Sequence, residues 1–327
     1  MSATNNGRKR PDYDPLPEGA IWTPEIERLG QKVALWARLD LPGAMVKGKN
    51  RVGKSAAGEY LLDTLSSLMG YPVDVLLWEI EENCADSPHG FVQGRMIESG
   101  YSAINHRNVE ILKNRFFTFI KQRCEEKNTR RLIVIIDEAQ NIKRPHFGYL
   151  VEYFNRITKL GLKPFFLLIG QPELSDTVNW QGVDGRDMQI VGRFRVNQYH
   201  FRGIALGDLK EVLREFDRPG PEGPPPSLTA YLPEAYANGW CIADIVPALR
   251  EALGLVMQQH NLREDLRVPM QYLRSTVGAF LHHVAETGEN PAQASSATLI
   301  KCLKECGFLS VLTNYVETTT DDGEDAA

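Results

Sequence analysis

The sequence predicts an α/β fold in which a parallel β-sheet is flanked by helices and followed by a smaller α-helical domain. Two continuous apolar runs, 131–136 and 163–169, are typical of central strands that are covered on both faces. Amphipathic helical patterns alternate with the strand candidates, as in a parallel sheet built from crossover units. A glycine-rich loop at 48–55 lies between a short strand and a helix, which is the usual context of a phosphate-binding loop.

The elements follow in order along the chain. Thr23, Pro24 and Glu25 form a helix start, with a capping hydroxyl, a proline in the first turn and an early acid. Later helices are predicted at 56–65, 109–127 and 147–160, and strands at 71–80 and 196–201, with 81–102 irregular. Beyond residue 205 the pattern is helical, and further helices are predicted at 208–217, 227–237, 242–259, 270–286 and 296–307.

Four segments describe the domain organisation. We expect a flexible arm at 1–20, a nucleotide-binding α/β domain at 21–203, a helical lid domain at 204–312 and an acidic, disordered tail at 313–327. The Pro-rich stretch 218–227 interrupts the lid domain.

Bulk properties limit the possible partners and location. The 327 residues carry a net charge of −5, so nucleic-acid binding would need a local basic face. The start is polar and basic with no apolar core of a secretory signal, and no run approaches the ~18 apolar residues of a membrane span. Together with an odd number of cysteines, five in all, this predicts a cytoplasmic protein that does not bind membranes.

The glycine-rich loop reads G-x-x-x-x-G-K-S and predicts binding of ATP with Mg²⁺. Backbone N–H groups of such a loop and the start of the next helix face the phosphates. Lys54 would reach the β- and γ-phosphates and Ser55 would bind Mg²⁺. The predicted cofactor-binding residues are Gly48, Lys49, Asn50, Arg51, Val52, Gly53, Lys54, Ser55, Ala56 and Asp137.

Carboxylates at the end of the apolar strand 131–136 complete the predicted site. Asp137 would hold Mg²⁺ through its water shell, and Glu138 would orient or deprotonate the attacking water, which favours an ATPase. Gln171, after the strand 163–169, is a candidate sensor of the γ-phosphate or else a turn residue before Pro172.

An arginine near the end of the predicted sheet could complete a neighbouring subunit's site. Arg193 is the first candidate for such an arginine finger and Arg195 the second. The alternative is that both are ordinary surface or DNA-facing charges.

The motifs GKNRVGKS, IVIIDEAQ, FLLIGQPEL and GRF, in this order before a helical lid, resemble those of AAA+ ATPases. Within that class the wording DEAQ and IGQPEL resembles the transposition ATPases of the TnsC/TniB type, with MuB more distant, and also the ExeA-type secretion ATPases. The resemblance implies that Lys54, Glu138, Gln171 and Arg193 act in catalysis. It also leads us to expect a second-sensor arginine early in a lid helix, where 239–244 has none and Arg250 comes later.

The TnsC-type resemblance implies a homo-oligomer, a ring or helical filament, that forms on duplex DNA without reading its sequence and recruits transposase subunits under a target-selection protein. Lys113, Arg115, Lys121 and Arg123, on the helix 109–127, are the candidate DNA contacts. The alternative is a solvated helix face.

Three other functions remain open. An ExeA-like energy-coupling or protein-remodelling ATPase would be expected to carry a membrane span or a cell-wall-binding module. A scaffold that binds ATP without hydrolysing it is disfavoured by Glu138, and a small-molecule kinase by the long lid and the Arg193 region.

Overall fold

The computed structural model describes residues 20–174, 192–194, 197–219, 231–262 and 265–317. The chain divides into two compact units, of which the first is Glu25–Arg202 and the second begins at Gly203. The predicted arm, apart from residue 20, and the candidate Arg195 lie outside the described residues, as does most of the Pro-rich stretch 218–227.

A five-stranded parallel sheet forms the centre of the first unit. Its strands are β1 (Gly43–Lys47), β2 (Asp74–Glu79), β3 (Arg131–Asp137), β4 (Lys163–Gly170) and β5 (Gln198–His200). Their order in the sheet is β2-β3-β4-β1-β5, and all four pairings are parallel. All seven residues of β3 are buried, as expected for a central strand with helices on both faces. The predicted fold class is therefore confirmed.

Helices accompany this sheet in the described part of the unit, and one of them was not predicted. They are α1 (Pro24–Arg38), α2 (Lys54–Met69), α3 (Pro88–Glu98), α4 (Val109–Glu126) and α5 (Arg144–Lys159). Helix α3 lies in the stretch 81–102, which was predicted to be irregular. The prediction failed there because Gly90 and Gly94 lower the helix propensity of this stretch. Its start is nevertheless well defined: the Ser87 hydroxyl accepts a hydrogen bond from the Gly90 N–H at 3.1 Å, and Pro88 opens the first turn.

An aromatic cluster packs the helices onto the sheet. Trp78 of β2 is fully buried and its ring centroid lies 6.2 Å from Phe116, 6.5 Å from Tyr153 and 6.3 Å from Phe166. The Trp78 Nε1–H donates to the Ser99 hydroxyl at 3.0 Å, so its polar group is satisfied. Each of these rings contributes about 2–3 kcal/mol by burial, which fixes α4 and α5 on β2 and β4.

The second unit is mainly helical. Its helices are α6 (Leu209–Phe216), α7 (Pro233–Ala237), α8 (Val246–Gln259), α9 (Met270–Thr287) and α10 (Ser296–Glu305). A small antiparallel sheet joins β6 (Ile204–Ala205), β7 (Asp265–Val268) and β8 (Val316–Glu317) in the order β6-β7-β8, and the sequence pattern did not predict it.

The assignment of residues 313–317 to a disordered tail is wrong. Leu312–Tyr315 forms a short 3₁₀ helix, and β8 pairs with β7. Leu312 and Tyr315 are buried, so the end of this segment belongs to the core of the second unit.

None of the helices in the described part of the chain has the length and apolar character needed to cross a bilayer. The cytoplasmic location stays a prediction.

Candidate nucleotide-binding site

The carboxyl ends of β1, β3 and β4 meet at one edge of the sheet, and the glycine-rich loop begins there. The Gly48 N–H donates to the Gly170 carbonyl at the end of β4 at 3.2 Å, and the Lys47 carbonyl accepts from the Phe201 N–H at 2.8 Å. A Cβ on Gly48 would press into the Phe201 carbonyl oxygen, so only glycine fits at this point. Ligands of open parallel sheets bind outside such an edge.

The loop turns through two left-handed residues before helix α2 begins. Arg51 has φ 64° and Gly53 has φ 110°. Gly53 caps α2 and, because it has no side chain, it cannot accept a hydrogen bond from the N–H groups of the first turn. The first N–H groups of α2 are thus left for a ligand, and the positive end of the helix dipole favours an anion.

Lys54 brings a buried cation to the loop. It is 9% exposed, and its Nζ donates to the carbonyl oxygens of Gly48 at 2.7 Å and Lys49 at 2.8 Å. Burial lowers the pKa of Lys54, while the nearby carboxylates of Glu138, Asp137 and Glu173 act in the opposite direction. Sequence reasoning did not single out Glu173; it follows Pro172 just beyond β4. The loop thus holds a buried ammonium group whose charged form is favoured by three nearby carboxylates.

Asp137 and Ser55 form the part of the site that would bind Mg²⁺. Asp137 is 9% exposed and accepts hydrogen bonds from the Ser55 hydroxyl and, at 2.9 Å, from the Glu138 N–H. Burial raises the pKa of Asp137, more than these hydrogen bonds lower it. A buried carboxylate beside a hydroxyl supplies the oxygen ligands that Mg²⁺ prefers, and the cation would offset the cost of burying the charge. The residues present therefore fit the ion.

Glu138 has an unusual backbone conformation and a side-chain partner that the sequence analysis missed. Its φ is 50°, in the left-handed region, and it begins the 3₁₀ helix Ala139–Asn141. The Gln140 amide Nε2 donates to Glu138 Oε2, and Gln140 Oε1 accepts from the Gln171 N–H at 3.1 Å. The sequence signal that could have indicated this partner is Gln140 itself, an amide side chain two positions after Glu138. Gln171 therefore meets the site through its backbone, and a sensing role for its side chain stays a prediction.

Arg193 lies near the other end of β1. A Cβ on Gly43, the first residue of β1, would be 3.0 Å from the Arg193 carbonyl oxygen, whereas the loop follows the last residue of β1. The guanidinium donates to Asn155 Oδ1 at 3.1 Å and lies 5.4 Å from the Phe154 ring centroid. Strand β1 places about 13 Å between its two ends at roughly 3.3 Å per residue. An arginine-finger role of Arg193 is thus compatible only with a neighbouring subunit's site and stays a prediction.

Two of the four residues on the predicted basic face of α4 form ion pairs within the protein. Lys113 is 6% exposed, and its Nζ lies 2.9 Å from both carboxylate oxygens of Glu152. Arg123 binds the fully buried Asp74 with two hydrogen bonds of 3.1 and 3.0 Å. Lys113 is therefore wrong as a DNA contact, whereas Arg123, whose side chain is 27% exposed, stays a prediction in that role.

Helix geometry explains the error. An α-helix turns about 100° per residue, so Arg115, Lys121 and Arg123 lie about 200°, 80° and 280° around α4 from Lys113. The buried Leu112, Phe116 and Ile120 occupy the same side as Lys113 and Arg123. Arg115 and Lys121 are exposed, and DNA contact by these two stays a prediction.

Arg250 is used within the second unit. Its Nε donates to the Leu206 carbonyl and its Nη2 to the Gly207 carbonyl, each at 2.9 Å. These bonds tie α8 to the segment before α6.

The sheet order, the loop and the two acids at the end of β3 together define an AAA+ P-loop fold. Residues 43–178 match the family model of the AAA domain. No curated protein matches the chain. Two similar solved structures are those of the ORC2 protein of Aeropyrum pernix, with ADPNP and ADP or in an ADP form. They have TM-scores of 0.55 and 0.56, and each is 13% identical to this chain, covers 90% of it and is itself covered over 70%. This likeness concerns the fold.

Proposed function

We propose that this protein binds ATP with Mg²⁺ and hydrolyses it. The observation that carries the proposal is the convergence of the buried Lys54 ammonium with Asp137 and Glu138 at one edge of the sheet. Bound Mg²⁺ would neutralise charge that develops on the phosphates during transfer.

Each residue of the site has its own role in this proposal. The loop N–H groups and the start of α2 bind the phosphates. The Lys54 ammonium, which binds the carbonyls of Gly48 and Lys49 in this structure, leaves them and pairs with the phosphates. Ser55 and Asp137 hold the metal ion, and the Glu138 carboxylate orients the attacking water and accepts its proton.

Substitution of Lys54 tests the nucleotide site. Lys54→Ala is expected to weaken ATP binding by about a thousandfold, because a charge pair about 4 Å apart near a protein surface is worth about 4 kcal/mol. Lys32→Ala is the matched control, since this exposed lysine of α1 lies outside the loop and the variant should bind ATP with unchanged affinity. Equal affinities of wild type and Lys54→Ala in calorimetric titration would refute the site.

We further propose that the protein oligomerises on duplex DNA as a regulator of transposition. Support comes from the TnsC-like wording of DEAQ and IGQPEL and from the position of Arg193 far from the loop of its own chain. A finger that reaches only a neighbouring site requires a head-to-tail contact, which produces a ring or a helical filament. ATP-bound subunits would mark the target for transposase subunits and a target-selection protein, and hydrolysis would release them.

Sedimentation with duplex DNA tests this second proposal. We expect the protein to co-sediment with duplexes of unrelated sequence in the presence of a slowly hydrolysed ATP analogue and to stay in the supernatant without it. Replacing Arg115 and Lys121 together by alanine should lower the salt dependence by about one per lost phosphate contact. The exposed pair Lys32 and Lys159, replaced in the same way, serves as a control for lost charge. No sedimentation in either state would refute the DNA-binding part alone.

A further inference from the structure

Gln140 connects the ends of two neighbouring strands through a single side-chain amide. It lies in the 3₁₀ helix Ala139–Asn141 that follows β3. Its Nε2 donates to Glu138 Oε2, and its Oε1 accepts from the Gln171 N–H at 3.1 Å. Both the donor and the acceptor of this half-buried amide are thus used, one on the acid beyond β3 and one on the backbone beyond β4.

Gly170 gives this amide its space. A Cβ on Gly170 would lie 2.7 Å from Gln140 Oε1, closer than real Cβ contacts. Gly170 is not among the positive-φ residues of the chain, so its backbone conformation does not require glycine. The glycine at the end of β4 is therefore explained by close neighbours rather than by a turn: the Gln140 amide first, and then the Gln140 backbone N and Leu174 Cδ2, each 3.2 Å from the added Cβ.

The Glu138 backbone is fixed, whereas its side chain needs a hydrogen-bond donor to hold the carboxylate in one position. Glu138 is left-handed, a conformation that costs a residue with a Cβ about 1–2 kcal/mol. The Asn141 N–H donates to the Glu138 carbonyl at 2.9 Å and fixes the backbone. The side chain of a half-buried glutamate still has three rotatable bonds, and among the described residues Gln140 is the one whose side chain donates to it.

We propose that Gln140 is a positioning residue that holds the Glu138 carboxylate for water activation and links it to the end of β4. The inference rests on the proposed ATPase function. Because Gln140 binds Oε2, the second oxygen, Oε1, is left to accept from the attacking water. Because the other end of the amide is fixed on the Gln171 backbone, a shift at the end of β4 also moves the catalytic carboxylate.

Kinetics of Gln140→Met and Asn141→Ala test the positioning role. Methionine fills a similar volume but cannot donate, so kcat should fall about tenfold to a hundredfold while KM and the dissociation constant of ATP stay unchanged. Asn141→Ala is the matched control on the same turn, since its amide Nδ2 donates to the Ile80 carbonyl at 2.9 Å and not to Glu138. It should lower the unfolding midpoint and keep kcat. Full activity of Gln140→Met would overturn the proposal.

Gly170→Ala perturbs the same contact from the other side. Its new Cβ should displace the Gln140 amide and lower kcat as Gln140→Met does, and it should add little in the Gln140→Met background. Effects that multiply would show that the two residues act independently and would also overturn the proposal.

A readout without nucleotide separates this inference from the ATPase proposal. We would measure unfolding midpoints of Glu138→Ala, Gln140→Met and the double variant with no ATP added. A coupled pair predicts a double variant less destabilised than the sum of the single shifts. Additive shifts would show that the side chains of Glu138 and Gln140 are not coupled, and this would overturn the proposed contact whatever the turnover. If wild type hydrolyses no ATP, the proposed function fails and the positioning role with it, while the cycle still decides the contact.

Discussion

Replacing Lys113 should lower the stability of the first unit and should not lower DNA affinity. The side chain is 7% exposed, and its Nζ lies 2.9 Å from Glu152 Oε2 and 3.3 Å from Glu110 Oε1. Removing one partner of a fully buried ion pair costs about 3–5 kcal/mol. Glu152 is 32% exposed and keeps a second cation, since Arg156 Nε lies 3.0 Å from Glu152 Oε1. For Lys113→Met we therefore expect a loss of about 2 kcal/mol, because solvent screens part of the interaction.

Thermal unfolding and DNA binding measured together decide this prediction. For a unit of this size 2 kcal/mol corresponds to a fall in Tm of about 4–8 °C. Lys121→Met is the matched control: its side chain is 48% exposed and lies 3.6 Å from Glu125, so its Tm should change by less than about 1–2 °C. Equal midpoints of the two variants would refute our reasoning, and so would a lower salt dependence of DNA binding for Lys113→Met at unchanged stability.

Three further predictions concern the site and the pH dependence. Glu138→Gln should keep the affinity for ATP and lower kcat by about 10²–10⁴-fold in steady-state assays, since the amide cannot accept the proton of the water; unchanged turnover would place water activation elsewhere. Arg193→Ala should lower kcat by about 10³-fold or more, and mixing it with Glu138→Gln should restore hydrolysis at the interfaces that combine an intact acid with an intact arginine; mixtures as inactive as the separate variants would exclude a finger in trans. Burial raises the pKa of Glu98 to about 7 from 4.5, against the opposing charge of Arg95, so the native state disfavours the ionised acid. Glu98 is an exposed residue that pairs with Arg95 at 2.9 Å, so solvent and the ion pair reduce this effect. Stability should fall by about 1–2 kcal/mol as pH rises from about 4.5 to 7, and Glu98→Gln should lose this slope in urea unfolding at a series of pH values.

Local patterns were sufficient to predict the centre of the first unit. The apolar runs 131–136 and 163–169 correspond to β3 and β4, and the loop pattern placed Lys54 at the start of a helix. These predictions succeed because a strand covered on both faces needs an uninterrupted apolar run, and because the G-x-x-x-x-G-K-S spacing combines a tight turn with a helix start.

The failures share a physical cause, which is that tertiary contacts decide between equal local patterns. Lys113 lies on the same side of α4 as the buried Leu112 and Phe116, where Glu152 of α5 binds it, whereas Lys121 lies about 80° further around the helix and is exposed. Helix α3 forms despite Gly90 and Gly94 because Phe91, Val92 and Met96 are buried in the core. Gln140 could not be singled out, since its second partner is a backbone N–H about thirty residues away on the chain, beyond β4.

The order of the sheet also determines when during folding the nucleotide site can exist. Strand β1, which carries the loop, has Met45 paired with Leu168 on one side and Gln198 on the other, so both of its neighbours come more than a hundred residues later. Contacts of such sequence separation close large loops and form slowly. A nascent chain would therefore expose the apolar β1 until residues near 200 have been synthesised, and ATP would stabilise only the completed unit, at the end of folding rather than at its beginning.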